Sequence, residues 1–532
     1  LEDGTVVIFQ VRPLAAALKI IAPMTDREFK DTKALAKCKY LDTFHILSDM
    51  AFWNPAEIIG SNPRPLDYSL YRELITAHIW SAGLQPLGYQ PVRGELMQKV
   101  GNKPYISVNY TFDGLTPAGL PEDLCYKLNQ YYEQKLRQDK TAHDKIEFEI
   151  IFNTYDFMTD TRLKELAEYG FDDVEISQLR NALFEIAKQT LEHYDEICEE
   201  DLRSLGQLTE LRHELRKHAP LAETNVMKLY SYIDELLDSI KDHGTPQFTR
   251  QARCAFMARS FCRTLVEKGY FTKQEMDDFM LSIPTVASEF ERDFDLYSHG
   301  KLSRDDFNHL YGHLRLGTYD IRSDSYRNIY FDVASANLTG NNKVKQEAKS
   351  LDLERLQVAL DEAGIPVTPE KFIEFIKKAT QNREYFKFEF TKSLSLMLDV
   401  IVKLGEVMAI AREDMSYLEI QDLLSYHSRD SYIQTIETRR RFYHVNSYLV
   451  LPEVIFDVGD IDVIDIDEAR PNFITNKVVE APIVNLDEDH DSDITGKIVA
   501  LTKADPGYDW IFAKDIAGFV TKYGGAASHM AI

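Results

Sequence analysis

The fold of this chain is constrained most by a long stretch, residues 121–217, in which Leu, Glu, Lys and Gln dominate and glycines are few. Apolar residues recur there at heptad-like intervals, the spacing that places them along one face of an amphipathic helix. The same pattern continues over 222–240 and 251–268. Because amphipathic helices must bury their apolar faces against one another, we predict a mainly α central domain that spans residues 15–450.

One part of this central region has the pattern of β structure. Residues 92–112 contain two short apolar runs around Gly101-Asn-Lys-Pro104, which predicts a β-hairpin. Alternation along the second run places a set of polar side chains on one face, namely Tyr105, Ser107, Asn109 and Thr111. Such a face is either a ligand-binding wall or a solvated surface, and the sequence leaves both interpretations open.

Charge and cysteine content limit the class of partner. The chain has 61 Lys and Arg residues against 86 Asp and Glu residues, and the net charge of −25 argues against nucleic acid or an anionic membrane as the main partner. No apolar run approaches the roughly 18 residues of a membrane-spanning helix. The five cysteines form no CxxC pair, which is typical of a protein in a reducing cytoplasm. The composition leaves a homodimer open.

Two motifs are partly similar to metal sites but fail on their spacing. An EF-hand loop ending at Gly300 would need oxygen ligands where the sequence has Tyr297 and His299. His309 and His313 are four residues apart, but the glutamate of the zinc-protease motif is missing between them. The sequence therefore predicts no metal-ligating residues.

The closing residues of the chain carry the clearest chemical motif. A short apolar run ending in Thr521 predicts a buried strand, and the composition from Ser528 onward predicts the start of a helix. His529 would lie in the first turn of that helix, behind the turn at Gly524 and Gly525, where backbone N–H groups favour a phosphoryl group. A neutral ring nitrogen there can attack phosphorus and carry the phosphoryl group covalently. The alternative is a glycine turn followed by a structural histidine.

The motif Thr521-x-x-Gly-Gly-x-x-Ser-His529-x-Ala-Ile532 resembles the phosphohistidine signature of the phosphoenolpyruvate-utilising enzymes, such as phosphoenolpyruvate synthase, pyruvate phosphate dikinase and rifampicin phosphotransferase. The upstream Asp505-Pro506 turn and Trp510 fit the same pattern. In that family the histidine accepts a phosphoryl group from ATP or phosphoenolpyruvate and delivers it elsewhere. The resemblance implies this role for His529, with the neighbouring hydroxyls and glycine backbone around the imidazole and the phosphoryl oxygens.

The opposite end of the chain contains a weaker motif that points to the same family. In the apolar strand over residues 5–14, Gln10 and Arg12 are two positions apart, so their side chains lie on the same face. Taken alone, these residues fit an ordinary edge strand better than a phosphate contact. The Gln-x-Arg-Pro ending resembles the closing strand of the family's ATP-grasp domain, which implies that both residues approach the nucleotide phosphates. We accordingly expect residues 1–14 to be the last strand of that domain and the chain to be a fragment that binds ATP poorly by itself.

Functional groups are also concentrated in the glycine-punctuated stretch 311–322, between two helical regions. It carries His313, Arg315, Tyr319, Asp320 and Arg322. A general base and two guanidiniums are what phosphoryl delivery to a small hydroxyl or carboxylate acceptor requires. The stretch also resembles a Gly-His-Arg segment in the substrate domain of the rifampicin phosphotransferase branch, with Leu314 inserted. The alternative is a loop that its own polar residues tie down.

Two further basic groups occur on predicted helices. A row of four arginines lies along residues 250–268: Arg250, Arg253, Arg259 and Arg263. This row is interpreted first as a solvated face and second as the lining of an anionic pocket. Arg383 and Lys387 lie near one face of a later helix in a segment that looks like the rifampicin phosphotransferase branch, and we expect them at the edge of the substrate pocket or at a domain interface.

Composition changes abruptly at the end of the helical region. Acids alternate with Val and Ile over 454–467, and 485–493 is strongly acidic, which predicts an acidic linker, residues 451–495, that includes the first strand of the next domain. Residues 496–532 are β-rich before the signature, so we predict a small β/α swivelling phosphohistidine domain, truncated at its C-terminal end. A mobile carrier allows two phosphoryl transfers to be positioned at separate sites.

These motifs together predict a dikinase-like phosphotransferase. By resemblance, ATP with Mg²⁺ phosphorylates His529 through its β-phosphoryl group, giving AMP and phosphate, and the phosphohistidine then reacts with a small-molecule acceptor of unknown identity. The ATP-grasp domain of the same polypeptide is the expected partner. Two alternatives stay open: an ATP-driven condensing enzyme that uses a phosphorylated intermediate, and a catalytically silent helical binding or regulatory module.

Overall fold

The computed structural model describes residues 8–10, 45–52, 54–315, 318–328, 350–447, 451–457, 460, 479–487, 492–503, 506–512, 514–523 and 530. Within these ranges the chain is mostly helical, with one small antiparallel sheet and one small parallel sheet. The prediction of a mainly α chain with a β-hairpin and a later β-containing unit is confirmed at this level. Six residues of the signature (Gly524, Gly525, Ser528, His529, Ala531 and Ile532) and Arg12 lie outside the described residues.

The α-helices are α1 Pro55–Ile58, α2 Pro65–Tyr71, α3 Ile79–Leu84, α4 Val108–Leu115, α5 Glu122–Gln138, α6 Thr159–Arg162, α7 Asp173–Lys217, α8 Val226–His243, α9 Thr245–Glu267, α10 Lys273–Leu281, α11 Val286–Ser298, α12 Arg304–Tyr311, α13 Leu353–Ala363, α14 Pro369–Val407, α15 Arg412–Met415, α16 Ile420–Leu424 and α17 Arg429–Asn446. Single turns of π-helix cover Arg72–Thr76 and Ile146–Ile150. Short 3-10 segments cover Gln85–Leu87, Lys140–Asp144, Leu163–Tyr169, Pro220–Ala222, Tyr326–Asn328 and Pro506–Ile511.

The centre of the helical region is formed by four long helices, α7, α8, α9 and α14, which pack against one another. Their facing residues, such as Leu236, Phe261 and Leu398, are fully buried, as expected for the apolar stripes of amphipathic helices. The 45-residue helix α7 begins with a capping box in which Asp172 and Glu175 satisfy each other's backbone N–H groups. The predicted long helices are therefore confirmed, although the predicted run 121–217 is interrupted between α5 and α7.

The antiparallel sheet has the strand order β3-β4-β2-β5, with β2 Leu47–Ser48, β3 Met97–Val100, β4 Lys103–Ser107 and β5 Val454–Ile455. The predicted hairpin is confirmed, and its turn includes Gly101 with a positive φ of 59°. The prediction that Asn109 and Thr111 continue the strand is wrong. The Ser107 hydroxyl accepts a hydrogen bond from the Tyr110 N–H and caps α4, so the chain turns helical directly after the strand.

The parallel sheet has the order β1-β8-β7-β6, with β1 Ile8–Gln10, β6 Ile483–Asn485, β7 Ile498–Lys503 and β8 Gly518–Tyr523. Its core contains Val499, Ile511 and Phe519, so the buried strand predicted before the signature is confirmed. Strand β1, predicted to close a separate nucleotide-binding domain, pairs with β8 in this sheet and places Gln10 opposite Thr521. The domain boundaries taken from the sequence stay predictions.

One segment of the parallel-sheet unit, as far as the unit is described, packs against the helical region. The 3-10 segment Pro506–Ile511 contacts α11, and Trp510 packs against the cores of both units. At the other end, β5 pairs with β2, which fixes the start of the predicted acidic linker to the antiparallel sheet. None of the helices described above is long and apolar enough to cross a membrane.

Candidate functional site

The predicted substrate residues of the stretch 311–322 follow the end of helix α12. His313 is 4% exposed and Arg315 is fully enclosed, while Arg322 is partly exposed. The burial arises because the stretch folds back onto α14, against which both His313 and Arg315 pack. The structure nevertheless gives these side chains different surroundings.

Arg315 fastens the loop to helix α14. Its guanidinium donates to the backbone oxygen of Ser395 at 3.0 Å, to the carboxylate of Asp399 at 2.5 Å and to the backbone oxygen of Ser323 at 2.6 Å. A guanidinium has only five N–H donors in a fixed plane, so these bonds engage most of its capacity. Arg315 therefore holds the loop in place.

Tyr319 and Arg322 also make their contacts within the loop and its immediate neighbours. The Tyr71 hydroxyl donates to the backbone oxygen of Tyr319 at 2.9 Å. Arg322 donates to the Asp320 carboxylate at 2.9 Å, and the same carboxylate accepts the backbone N–H groups of Arg322 and Ser323. This pairing and the positive charge of Arg322 keep the pKa of Asp320 below its usual value despite its burial. For these residues the structure matches the alternative interpretation, a loop tied down by its own polar groups.

His313 lies in a different environment, which we call the cationic histidine cluster: His313, Arg212, Arg216, Arg327 and Lys392. The imidazole packs edge-on against Phe388, with the ring centres 4.5 Å apart, and the Lys392 ammonium lies 4.5 Å from the centre of the same phenyl ring. Within the described part of the chain, the Nε2 atom of His313 is buried and has no hydrogen-bond partner. A buried ring nitrogen without a hydrogen-bond partner destabilises the folded protein unless a ligand or a water molecule forms a hydrogen bond with it.

Three separate segments supply the positive charges of the cluster. Arg212 and Arg216 come from the last turns of α7, Lys392 from α14 and Arg327 from the 3-10 segment after the loop. One carboxylate, Glu389, is shared, because it pairs with both Arg212 and Lys392. Among the described residues, no ion pair joins Arg216 to a carboxylate, so positive charge is in excess.

Electrostatics at the cluster follow from burial and from this excess of cations. Burial, followed by the charges of Lys392 and Arg212, lowers the pKa of His313 well below its usual value. Burial and the neighbouring Arg327 and Arg212 lower the pKa of Arg216 to about 10. The imidazole is therefore neutral at physiological pH, and a bound anion would relieve the repulsion among its cationic neighbours.

The sequence identified His313 but missed the cations around it. Arg212 and Arg216 are spaced i,i+4 in the amphipathic stretch 121–217, for which only helix packing was predicted. Lys392 lies at the end of the charged and aromatic segment that begins at Arg383. The i,i+4 arginine pair is the signal that could have indicated one basic face of α7.

The basic row on α9 is buried or half-buried, and two of its members form ion pairs with carboxylates, so the prediction of a solvated face is wrong. Arg250 pairs with the buried Asp201, and Arg253 pairs with Glu147 at 2.5 Å. Arg383 lies near this row, with its guanidinium over the Phe256 ring. Lys387 lies one turn farther along α14 and is half-buried.

The signature region is described only in part. Thr521 is 4% exposed in strand β8, and Gln10 lies opposite it on β1. The roles assigned to the residues that follow Thr521, and to Arg12, stay predictions because those residues lie outside the described ranges. In the described ranges, no group of three or more His, Cys, Asp or Glu side chains is placed to hold a metal ion.

Comparison with known proteins gives no family for the chain. No protein-family model matches it. No curated protein matches it either. The relation to the phosphoenolpyruvate-utilising enzymes is therefore a resemblance that rests on the motifs at the two ends of the sequence.

Proposed function

We propose that the protein is a phosphotransferase that passes a phosphoryl group from ATP, through His529, to a small-molecule acceptor held at the cationic histidine cluster. The observation that carries the proposal is the buried, unpartnered Nε2 atom of His313 among four cationic side chains. A phosphoryl group brings negative charge, and the nucleophile of an acceptor has a proton to lose. The cations of the cluster can pair with the negative charge of the phosphoryl group, and Nε2 of His313 can accept the proton of the nucleophile.

The transfer to a hydroxyl acceptor requires two coupled changes. The acceptor oxygen bonds to phosphorus as the bond between phosphorus and the imidazole nitrogen of His529 breaks, and that electron pair returns to the imidazole. The hydroxyl proton passes to Nε2 of His313, which acts as the general base. Arg216, Lys392 and their neighbours stabilise the phosphoryl oxygens, where charge accumulates in the transition state.

The low pKa of His313 fits this sequence of events. An imidazole that binds a proton weakly in the free protein stays neutral and ready to accept one. When a phosphoryl group enters, its negative charge offsets Lys392 and Arg212, and the pKa of His313 rises toward its usual value. The base would thus become stronger at the moment when the phosphoryl group is present.

In this proposal, the parallel-sheet unit is the swivelling phosphohistidine domain. Two observations support it: strand β8 ends at Tyr523, directly before the Gly-Gly pair, and the unit contacts the helical region mainly through the short segment Pro506–Ile511. A small contact of this kind is compatible with release and rebinding during a carrier cycle.

ATP and Mg²⁺ enter the proposal from the sequence resemblance alone. The described residues offer no group of metal ligands, and Gln10 is described only through its place in β1. No step is therefore assigned to the metal, and the nucleotide serves only as the phosphoryl donor.

The test uses the full-length protein and ATP labelled separately at the β and γ positions. Acid-labile label should appear on the protein from the β position and disappear in His529→Ala. His313→Gln should retain the label on His529 but deliver it to the acceptor more slowly, by roughly 10²- to 10⁴-fold, the usual contribution of a general base. His309→Gln, which changes an exposed histidine on α12, is the matched control and should behave like the wild type.

The acceptor is identified by screening hydroxylated and carboxylated metabolites for release of AMP. The proposal fails if no label is found on the protein, or if His529→Ala retains it. If labelling succeeds but His313→Gln delivers at the wild-type rate, His313 is removed from the site. An absence of both label and AMP would leave the helical region as a silent anion-binding module.

A further inference from the structure

A second group of arginines surrounds a pair of phenylalanines on the other side of helix α14. We call it the four-arginine cluster, and it comprises Arg253, Arg259, Arg263 and Arg383 around Phe148 and Phe256. The two phenyl rings meet edge to face with their centres 5.8 Å apart. This pair joins the π-helical turn Ile146–Ile150 to helix α9, and the arginines come from α9 and α14.

Each ring is approached by two guanidiniums. The guanidinium carbons of Arg259 and Arg263 lie 6.0 and 5.6 Å from the centre of the Phe148 ring. Those of Arg383 and Arg253 lie 5.2 and 6.0 Å from the centre of the Phe256 ring. Cation–π contacts of this length attract each guanidinium to a ring face, and the contacts themselves use none of its N–H donors.

The carboxylates near the cluster are distributed unevenly among its arginines. Arg253 is 3% exposed and is neutralised by Glu147 at 2.5 Å. Arg383 has the carboxylate of Glu384 at 3.7 Å. Arg263 donates to the backbone oxygen of Phe148, and the charges of Glu267, Asp156 and Glu149 act on its guanidinium together with that of Arg162.

Arg259 is the member with the least compensation. Its nearest charged neighbours are Arg383 and Arg263, and no carboxylate in the described ranges forms an ion pair with it. Burial and these two guanidiniums lower the pKa of Arg259 to about 10. Like charges that are close together at a partly buried site repel each other and destabilise the folded state. The chain has 25 more acidic than basic residues, so carboxylates that could have paired with Arg259 are not scarce.

The cluster is partly exposed to solvent. Arg259, Arg263 and Arg383 are half-buried, as are both phenylalanines. Arg383 and Lys392 are nine positions apart on α14, about two and a half turns, so they point to opposite faces of the helix. The four-arginine cluster is thus distinct from the cationic histidine cluster.

We propose that the four-arginine cluster is a second binding site, which takes a phosphate group, either free or carried by a small molecule. Arg259 would form the charge-assisted hydrogen bonds to the phosphate oxygens, with the positive charges of Arg263 and Arg383 beside it and the buried Arg253–Glu147 pair next to the site. Guanidinium groups match phosphate oxygens with paired N–H donors, which a lysine does not. This inference stands apart from the proposed phosphotransferase activity, because it concerns binding on another face of α14.

The test is equilibrium binding of inorganic phosphate and of phenyl phosphate to the full chain at constant ionic strength. Arg259→Gln removes an arginine that has no paired carboxylate, so it should fold normally and lower the affinity by about 10-fold or more, as expected for lost charge-assisted hydrogen bonds. Arg259→Lys keeps the charge without the paired donors and should fall in between. Arg429→Gln, an exposed arginine on α17, is the control and should bind like the wild type.

Variants of each cluster show whether the two clusters bind phosphate independently. Arg216→Gln removes one cation of the cationic histidine cluster and should leave the Arg259-dependent binding unchanged. Tighter binding of phenyl phosphate than of inorganic phosphate assigns the site to a phosphate-bearing molecule, and equal binding assigns it to free phosphate. The proposal is overturned if neither probe binds, or if Arg259→Gln and Arg383→Gln both titrate like the wild type. Failure of His529 labelling would overturn the proposed function without affecting this result.

Discussion

Replacing His313 with glutamine should make the protein less sensitive to acid. The imidazole is 4% exposed, and burial, followed by the charges of Lys392 and Arg212, lowers its pKa well below 6.5. As the pH falls, the unfolded chain therefore binds a proton at this histidine while the folded chain does not. The folded state loses stability on the acid side, because protons bound only by the unfolded chain favour unfolding.

The size of this loss follows from the linkage between protonation and folding. Well below pH 6.5, one proton bound only by the unfolded state costs about 1.4 kcal/mol per pH unit. Between pH 7 and pH 5 the integrated loss is about 2 kcal/mol for an imidazole that stays neutral in the folded state. Above the unfolded-state pKa of about 6.5 the penalty vanishes. Glutamine does not titrate, so His313→Gln should lack this loss while every other group titrates as before.

The assay is urea unfolding at pH 7, 6 and 5, followed through tryptophan fluorescence, since Trp80 is buried in the helical core. The change in packing caused by His313→Gln is the same at each pH and cancels when the pH dependences are compared. Relative to the wild type, His313→Gln should gain about 2 kcal/mol between pH 7 and pH 5. His309→Gln should follow the wild type, because that side chain is exposed in the folded state. Parallel curves for the wild type and His313→Gln would refute the assignment of a neutral buried imidazole.

Three further substitutions test the structure outside the cluster by urea unfolding. Arg315→Met should lower the free energy of unfolding by roughly 3 kcal/mol, because it leaves the Asp399 carboxylate without its partner at 2.5 Å. Adding Asp399→Asn should recover part of this loss. If the effects of the two substitutions simply add in the double variant, the pairing is contradicted. Gly83→Ala should cost roughly 1–3 kcal/mol, because its Cβ would lie 2.6 Å from the backbone oxygen of Pro246, and unchanged stability would disprove the close approach of α3 and α9. Thr272→Ala should cost about 1 kcal/mol and speed amide exchange in the first turn of α10, whereas unchanged exchange would rule out the capping box.

The sequence predicts correctly those features that depend on residues close together in the chain. The sequence Thr272-Lys-Gln-Glu275 predicts a capping box, and Pro369 after Thr368 predicts the first position of a helix; both features are present, at the starts of α10 and α14. The hairpin was identified in the same way from its turn. Its end was missed, because a serine inside a strand pattern serves equally well as a helix cap, and only the fold decides between the two.

The surroundings of the charged residues could not be predicted in this way. The row on α9 was assigned to solvent because its partners, such as Asp201 and Glu147, lie far away in the sequence. His313 was singled out by its own loop, but its neutral state depends on Arg212 and Lys392, which come from α7 and α14. Spacing within a helix shows which residues share a face, and it does not show what packs against that face.

The two clusters both concentrate positive charge next to α14, one on either side of the helix. The chain as a whole carries a net charge of −25, so an approaching anion is repelled at long range and attracted only close to a cluster. Salt screens charges that are separated by more than about 8 Å at physiological ionic strength, whereas contacts inside a partly buried site are screened much less. Moderate salt should therefore weaken the repulsion more than the attraction, so that the association rate of a phosphate-bearing ligand rises with ionic strength. A protein that bound anions through an exposed basic surface would show the opposite dependence, and the sign of the salt effect distinguishes buried clusters from such a surface.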